Sequence, residues 1–548
     1  MFLLSIWRYL GIMSITEIIC SISKVIRRPV LPVIVCLAFF VVVAVLGCGD
    51  EPVSDQAREN ETSARAASTA DSGSGAQAGL AGGTFSTESP FGIHPASMGG
   101  GRGLTGDSFA TATDMGVGWA REGVYAFWFL IQPNLDSSSY DFSLHDQQWG
   151  SVPANIRILG NIAPQGPRDE GRCLKGSFMP VDEAKYAAFV RATIERYDGD
   201  GVDDMPGLTN PIKYWQVGNE PDGSRVKDFA SLQRITYTAI KESCLDCMVL
   251  IGGVPGFPSD YISGFDSDYA PILKELNGKY VDIFDFHWYG TATGDYRLQD
   301  SAAAASGDVL AHIRQTLMAD GFPADMPVWI TEMGSYSGDP SESSGPPGRQ
   351  AGRLENLAQT ERQQAQDYFK RLIYPLSRGV SKVFLAFGLM EGFKHDDGYF
   401  DHTGLIYDGE GAGDPGRGVK KLSYYTYKKM SEKLTGADWS TVTTMRDGSA
   451  GDHLYIFRVS MGGNDIYIAW WDYFDETGFK TGDTKIIELD EVEGSAAIVT
   501  RVVPRVDSGQ QVGDYATAFE SVEIPIEDGS LSITLGEDPV IIEIMPGS

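Results

Sequence analysis

Two glutamates, Glu220 and Glu332, stand at the ends of two apolar runs, KYWQVGNEPDG (213–223) and PVWITEMGS (327–335). A carboxylate inside a buried strand is costly unless it is paired, so each glutamate is expected at the tip of its strand. Two carboxylates that face each other across a cleft suit the cleavage of a glycosidic bond. One donates a proton to the leaving oxygen, and the other attacks the anomeric carbon or activates water. The sequence therefore predicts that Glu220 and Glu332 form a catalytic pair.

Further polar side chains fall at the ends of other apolar runs. They are His94, Arg121, Glu122, Asn161, Asn219, His287 and Tyr289. Each alone has an ordinary explanation as a surface residue, an ion-pair partner or a hydrogen-bonded structural residue, but convergence on one mouth favours a site. Asn219 suits a hydrogen bond to a sugar 2-hydroxyl. Arg121 would keep Glu332 ionised, and Tyr289 would orient it.

These residues need a scaffold that brings strand ends together, and the order of apolar and amphipathic segments along the chain indicates such a scaffold. Short apolar runs alternate with amphipathic segments. The candidate strands are residues 91–95, 117–123, 156–162, 213–219, 248–253, 281–289, 327–333 and 382–388. Helical spacing marks residues 182–197, 361–377 and 421–434. Eight strand–helix alternations predict an α/β fold, a (β/α)8 TIM barrel, whose function lies at the carboxyl ends of the strands.

The alternation stops after residue 434, and a different pattern begins. Residues 453–548 read as short strands separated by turn signals such as GGN, DGS and GED. This pattern predicts a C-terminal all-β, sandwich-like domain. We expect the barrel over residues 85–435 and the β domain over residues 436–548.

The N-terminus has the composition of a targeting segment. Lys24, Arg27 and Arg28 precede the apolar run PVLPVIVCLAFFVVVAVLG, which ends at Cys48. A basic region followed by an apolar region is typical of a secretory signal, and VLGC resembles a bacterial lipoprotein box with Cys48 as the lipidated residue. The alternative is a plain membrane anchor. Either way residues 1–48 export the chain, to the periplasm or the cell surface, and residues 49–84 form a disordered linker.

Charge limits the partners of this protein. The formal net charge is −30 over 548 residues, which repels phosphate backbones and anionic membrane surfaces. Nucleic acid is therefore not expected as a partner, and membrane contact is expected only through the N-terminal lipid or anchor. No organic cofactor is implied. The oligomeric state is left open.

Two small motifs allow alternatives. Cys244 and Cys247 form a CxxC. A zinc site would need two more soft ligands nearby, so a local disulfide is favoured in an exported chain. The stretch YDGDGVDDMPG (197–207) carries Asp198, Asp200 and Asp204 around glycines. It predicts either a structural calcium site with oxygen ligands or a solvated turn.

Several motifs resemble those of clan A glycoside hydrolases, which are retaining (β/α)8 enzymes. NEP (219–221) and WITE (329–332) resemble the signatures that end strands four and seven in that clan. Residues 118–148 and FHWYG (286–290) resemble its stretches after strand two and in strand six. The likeness covers roughly residues 90–435, and over this range the chain resembles members of family 39 or family 5. It implies that Glu220 is the acid/base and Glu332 the nucleophile in a double displacement, and a β-linked O-glycosidic bond of an oligo- or polysaccharide is the expected target.

The sequence departs from the clan at strand eight. KVFLAFGLMEG (382–392) lacks the tryptophan that many members use as a sugar platform. Phe387, Trp288 or Trp128 could supply the stacking face instead. The following loop, residues 391–402, either lines the cleft or is solvated. Two rival functions remain open, a surface lipoprotein that binds carbohydrate without turnover and a transglycosylase on the same fold.

Overall fold

The computed structural model describes residues 89–98, 108–166, 171–221, 225–256, 258–290, 294–302, 305–340, 358–395, 397–410 and 414–547. The predicted lipoprotein segment with Cys48 and the predicted linker lie outside the described residues. Among the residues that are described, no helix is both long enough and apolar enough to cross a membrane.

Eight strands and eight helices alternate along the first part of the described chain. The strands are β1 Phe91–His94, β2 Trp119–Ala120, β3 Arg157–Ala163, β4 Tyr214–Val217, β5 Met248–Ile251, β6 Phe284–Tyr289, β7 Val328–Gly334 and β8 Lys382–Ala386. The helices that follow them are α1 Ala110–Met115, α2 Ser143–Trp149, α3 Glu183–Tyr197, α4 Val226–Ser243, α5 Ala270–Leu276, α6 Val309–Ala319, α7 Glu361–Ser377 and α8 Leu422–Leu434. This order confirms the predicted (β/α)8 fold.

Shorter elements decorate the loops of the barrel. They are the strands Ala126–Phe127, Gln299–Asp300 and Gly307–Asp308, the helical turns Trp128–Ile131, Tyr261–Gly264 and Phe265–Tyr269, and the 3-10 turns Asp295–Arg297 and Tyr399–Asp401.

The parallel strands form a nearly closed barrel. Hydrogen-bonded neighbours run in the order β5-β4-β3-β2-β1-β8-β7-β6. Parallel bridges from Leu250 to Ile283 and from Val254 to Phe286 join the two ends of this order. Closure matters for the site because it brings the carboxyl ends of all eight strands around one mouth.

A layer of large apolar side chains fills the barrel below that mouth. Its members come from several strands and their edges: Trp119, Leu159, Leu250, Ile283, Trp329 and Phe384. The Trp119 and Trp329 rings lie 5.1 Å apart, edge to face. The barrel is therefore a packed core rather than a pore, and polar side chains are confined to the layers above it.

The second domain has two antiparallel sheets. Its strands are β9 Asp438–Asp447, β10 Leu454–Met461, β11 Asn464–Trp471, β12 Lys485–Leu489, β13 Ala496–Arg501, β14 Ser521–Pro525, β15 Leu531–Leu535 and β16 Val540–Met545, with 3-10 turns at Tyr473–Asp475 and Tyr515–Thr517. Six of them pair in the order β9-β10-β11-β16-β13-β14, and β12 pairs with β15. An apolar core lies between the two sheets, which confirms the sandwich-like prediction. The sequence pattern missed β9 because most of its side chains are exposed.

Helix α7 lies between the barrel and the second domain, and almost all of its residues are buried. A capping box formed by Thr360 and Gln363 starts the helix. Buried Lys370 on this helix contacts Asp472, at the end of β11, at 2.8 Å. Arg297 contacts the same carboxylate at 2.5 Å. Asp472 is thus a fully buried charge with two cationic partners, and it ties the second domain to the barrel.

We predict that Asp472→Ala destabilises the protein strongly, because Lys370 would become a buried charge without its carboxylate. Breaking a buried ion pair costs about 3–5 kcal/mol. Asp136→Ala is the matched control, since the Asp136 side chain is 94% exposed and lies 3.9 Å from Lys185. That change should cost about 0–1 kcal/mol. Urea unfolding of the purified proteins measures both, and equal stability of the two variants would contradict the prediction.

Candidate active site

A bulge in β7 places two consecutive side chains inside the mouth. Ile330 pairs with Phe286, and Glu332 pairs with the next residue, His287, so Thr331 is the extra residue. Side chains normally alternate across a strand, but here Thr331 contacts Asp285 while Glu332 contacts Arg121, and both partners lie inside the barrel. A bulge of this kind re-aims a side chain next to a functional site.

Arg121, at the end of β2, holds Glu332 in place. Its guanidinium is fully buried and donates in three directions: to Glu332 Oε1 at 2.5 Å, to Asn219 Oδ1 at 2.5 Å and to Gln216 Oε1 at 2.8 Å. Burial lowers the pKa of Arg121, but Tyr125, Glu332 and Asp285 raise it more, so the net shift is upward. The guanidinium remains a cation, because each of its three nitrogens donates a hydrogen bond to an acceptor.

Glu332 is held as an ionised carboxylate. Tyr289 donates its hydroxyl to Glu332 Oε2 at 2.5 Å. Burial raises the pKa of Glu332, but the positive charges of His287 and Arg121 outweigh burial and hold that pKa well below its usual range. His94 Nε2 lies 3.6 Å from Glu332 Oε1. Burial and the nearby Arg121 lower the pKa of His94 to about 3, so this imidazole is neutral near pH 7.

Glu220 follows β4 in a left-handed turn. Gly218 has φ +66° and Glu220 has φ +42°, a conformation that non-glycine residues adopt rarely and mostly at turns or functional sites. The Glu220 side chain is 35% exposed, and its Oε1 lies 2.7 Å from His287 Nδ1. One carboxylate oxygen each of Glu220 and Glu332, and a ring nitrogen of His287, all lie within 4.8 Å of one another. Two carboxylates of different exposure therefore face each other at the mouth.

Three polar residues below the pair were not predicted from the sequence. Gln216, Asp285 and Thr331 are fully buried. Gln216 Nε2 donates to Asp285 Oδ2 at 2.5 Å, and Thr331 Oγ1 donates to the same oxygen at 2.6 Å. Asp285 could have been found, because it lies two residues before His287 and therefore faces the same side of β6.

An aromatic wall borders the mouth on the side of β8. Phe387 is half-buried and lies 4.1 Å from the Phe393 ring, nearly parallel to it. The Tyr289 ring lies 6.2 Å from Phe387 in a stacked orientation. Phe393 belongs to the loop 391–402, so this part of the loop reaches the aromatic wall. Phe387 and Phe393 therefore form this wall together, and a role of Phe387 as the sugar platform stays a prediction.

Two predicted stacking residues lie elsewhere. Trp288 is fully buried on the outer side of β6, where its indole N–H donates to Asp295 O at 2.7 Å. Trp128 is also fully buried and packs on Tyr186 and Phe189. Neither indole has a face open to the mouth, so both expectations are corrected. Along β6 the inward positions are taken by residues 285, 287 and 289.

Glu122 and Asn161 have different surroundings. Glu122 turns away from the pair and accepts hydrogen bonds from the backbone N–H groups of Ala96 and Ser97, at 2.9 and 3.2 Å. It fixes the segment after β1 and does not join the site. Asn161 Nδ2 donates to Gly218 O at 2.7 Å and so supports the turn before Glu220. Asn161 and Asn219 also line a cavity of about 230 Å³.

The two small motifs lie away from the mouth. Cys244 and Cys247 are joined in a disulfide. Carboxylate oxygens of Asp198, Asp200 and Asp204 lie within 4.8 Å of one another. Asp204 accepts hydrogen bonds from the N–H groups of Gly199 and Gly201. This loop precedes β4, at the opposite end of the strand from Glu220. Calcium binding there stays a prediction.

Comparison with known proteins identifies the fold. No family model matches the sequence, and no curated protein matches it. The structure is similar to a family 39 glycoside hydrolase from the gut symbiont Bacteroides cellulosilyticus WH2, with 16% identity, coverage of 83% of this chain and 80% of that chain, and a TM-score of 0.55. It is also similar to a glucosidase from Croceicoccus marinus, with 15% identity, coverage of 84% and 98%, and a TM-score of 0.50. These likenesses confirm the predicted fold, a (β/α)8 barrel followed by a β domain.

We predict that Gly253→Ala destabilises the protein by crowding the buried side chains beneath the two glutamates. A methyl group on Gly253 would collide with His287 Nε2 and lie 2.7 Å from Asp285 Oδ2. Overpacking of this kind costs about 1–3 kcal/mol. Gly513→Ala is the matched control, because no atom lies within 4 Å of the added carbon and such a change should stay within about 0.5 kcal/mol. Thermal unfolding of both variants tests this. A Gly253→Ala protein as stable as the Gly513→Ala protein would contradict the packing argument.

Proposed function

We propose that the protein is a retaining glycoside hydrolase that cleaves O-glycosidic, β-linked bonds of oligo- or polysaccharides. The observation that carries this proposal is the approach of one oxygen of Glu220 to one of Glu332, within 4.8 Å. In retaining enzymes the two carboxyl groups are about 5–5.5 Å apart, whereas inverting enzymes need about 6.5–9.5 Å to admit a water molecule. The short separation supports direct attack by one carboxylate on the sugar.

The surroundings of each glutamate support its role. Glu332 is buried and is held ionised by Arg121, His287 and Tyr289, which suits a nucleophile. Glu220 is more exposed and contacts His287, which suits a group that exchanges a proton with the leaving oxygen and with water. Asn219 is held by Arg121 beside Glu220, where its amide N–H could donate to the sugar 2-hydroxyl.

The reaction proceeds in two displacements. Glu332 attacks the anomeric carbon, the bond to the leaving oxygen breaks, and Glu220 delivers a proton to that oxygen. Water then attacks the same carbon, Glu220 takes a proton from the water, and Glu332 is released. The Phe387 and Phe393 rings provide an apolar face for a sugar ring beside the reacting carbon.

Two other functions use the same residues. A surface lipoprotein that only binds carbohydrate would not need an ionised glutamate fixed by three partners, so the contacts of Glu332 favour catalysis. A transglycosylase would differ in the acceptor that attacks the glycosyl-enzyme. For either function, export as a lipid-anchored chain with Cys48 at its mature N-terminus is part of our proposal.

We predict that Glu332→Ala abolishes turnover of β-linked aryl glycosides, because no nucleophile remains. In Glu220→Ala the first displacement on a dinitrophenyl glycoside should persist, because its leaving group needs no proton. Azide should accelerate turnover, because it attacks the glycosyl-enzyme in place of water and needs no base. A panel of aryl glycosides and of plant and algal polysaccharides, with NMR of the product anomers, measures this.

Glu242→Ala is the control for these two variants, because Glu242 is an exposed residue that pairs with Arg191 at 2.9 Å. Turnover that survives both active-site substitutions, or a product with inverted configuration, would rule out the proposed roles. Binding of a glycan without turnover by the unaltered protein would favour the binding lipoprotein. Transfer of the sugar to an acceptor instead of water would favour the transglycosylase.

We predict that Arg121→Gln shifts the acidic limb of the pH profile upward. Glu332 acts in its ionised form, and its low pKa keeps activity as the pH falls through the usual carboxylate range. Removing the Arg121 charge raises that pKa, so kcat/KM should decline at a higher pH. Arg191→Gln, on the exposed surface, is the control. An acidic limb that stays in place in Arg121→Gln would contradict the electrostatic role of Arg121.

A further inference from the structure

The carboxylate of Asp285 lies beneath the catalytic pair and takes no part in the two displacements. It is fully buried on β6. Its Oδ1 accepts from the Thr331 backbone N–H at 3.0 Å, and its Oδ2 accepts from Gln216 Nε2 at 2.5 Å and from Thr331 Oγ1 at 2.6 Å. A buried carboxylate is costly, and its position two residues before His287 suggests what it does.

The contacts of Asp285 decide which ring nitrogen of His287 carries a hydrogen. An ionised carboxylate has no proton, so Thr331 Oγ1 donates its hydrogen to Asp285. The lone pairs of Thr331 Oγ1 then face His287 Nε2 at 3.2 Å. Nε2 must be the donor in that contact, and the neutral ring is therefore held in the Nε2–H form.

The other ring nitrogen is then free to gain or lose a proton. His287 Nδ1 lies 2.7 Å from Glu220 Oε1. If the imidazole is charged, Nδ1–H donates to an ionised Glu220. If the imidazole is neutral, a protonated Glu220 donates to Nδ1. The two states differ only in the position of one proton along one hydrogen bond.

We propose that Asp285 and Thr331 are positioning residues that fix the Nε2–H form of His287, so that His287 and Glu220 together hold the one proton delivered to the leaving group. This inference rests on the proposed function. In the first displacement the proton passes from the pair to the glycosidic oxygen as the carbon–oxygen bond breaks, leaving neutral His287 and ionised Glu220. In the second, the pair regains a proton from the attacking water as its oxygen bonds to the anomeric carbon and Glu332 departs.

The charges around His287 favour this arrangement. Asp285 on β6, Glu220 after β4 and Glu332 on β7 face the ring, with Glu332 Oε2 at 3.4 Å from Nδ1. His94 on β1 is neutral near pH 7, and Arg121 is bonded to Glu332. Burial lowers the pKa of His287, but the surrounding carboxylates raise it to about 10. The surrounding carboxylates therefore favour the protonated ring in the free protein, and the short contact with Glu220 gives the proton a route to the leaving oxygen.

Two aryl glycosides of the same sugar separate this role from a structural one. A dinitrophenyl leaving group needs no proton, whereas a 4-methylphenyl leaving group needs one. General acid catalysis contributes roughly 10²–10⁴-fold, so Asp285→Asn and Thr331→Val should lower kcat/KM for the 4-methylphenyl glycoside at least about tenfold. The kcat/KM for the dinitrophenyl glycoside, which reports only the first displacement, should change less than about twofold. Thr331→Ser keeps the hydroxyl and should retain the activity of the unaltered protein on both substrates.

A loss of the same size on both substrates would mean that Asp285 and Thr331 serve only the fold, and no loss on either would also overturn the proposal.

Nitrogen NMR of ¹⁵N-histidine-labelled protein provides a readout without substrate, with the His287 signals identified by their loss in His287→Gln. Above the pKa of His287 the hydrogen should be on Nε2, and Asp285→Asn should lower that pKa and mix the two forms. A neutral Nδ1–H ring in the unaltered protein would overturn the proposal. If neither glycoside is turned over, the proposed function fails while the NMR result still decides the state of His287.

Discussion

The buried ion pair between Arg121 and Glu332 is the interaction on which the rest of the site depends. Two charges removed from water are stable only when further hydrogen bonds satisfy their remaining atoms. Asn219 and Gln216 accept hydrogen bonds from the other two guanidinium nitrogens, and Tyr289 donates to the second oxygen of Glu332. These bonds connect β2, β4, β6 and β7 at one level of the barrel. The geometry of the pair is therefore set by residues on, or directly after, four strands at once.

That level is stable because packed layers below it and behind it exclude water. Below it, Trp119, Trp329 and their neighbours plug the barrel. Behind β7 and β8, helix α7 is covered on one side by the barrel and on the other by the second domain. The contacts of Lys370 and Arg297 with Asp472 join that domain to the barrel. The β domain thus supports the wall that carries Glu332, although it lies in a separate part of the sequence.

Much of this arrangement could be predicted from the sequence, and the failures have physical causes. The eight strand–helix alternations indicated the barrel, and the polar ends of six of the apolar runs indicated its mouth, because parallel strands end on the same side. Trp288 was wrongly placed because the alternation of side chains along β6 was not applied outward from His287. The bulge at Thr331 has no sequence signal of its own, so Thr331 was missed. Asp285 was missed because the same alternation was not applied from His287 to the residue two positions before it. Strand β9 was missed because strands were predicted from runs of apolar residues, and most of the β9 side chains are exposed.

The charges of the site suggest why so many groups surround two glutamates. Arg121 and the proton shared by His287 and Glu220 supply two positive charges, while Glu220, Glu332 and Asp285 supply three negative ones when ionised. The site therefore has an excess of one negative charge, whichever of His287 and Glu220 holds the shared proton. A positive charge that develops on the sugar ring in an oxocarbenium-like transition state would meet this excess at the mouth of the barrel. Because the hydrogen bonds are already in place, this charge is stabilised without reorganising the protein.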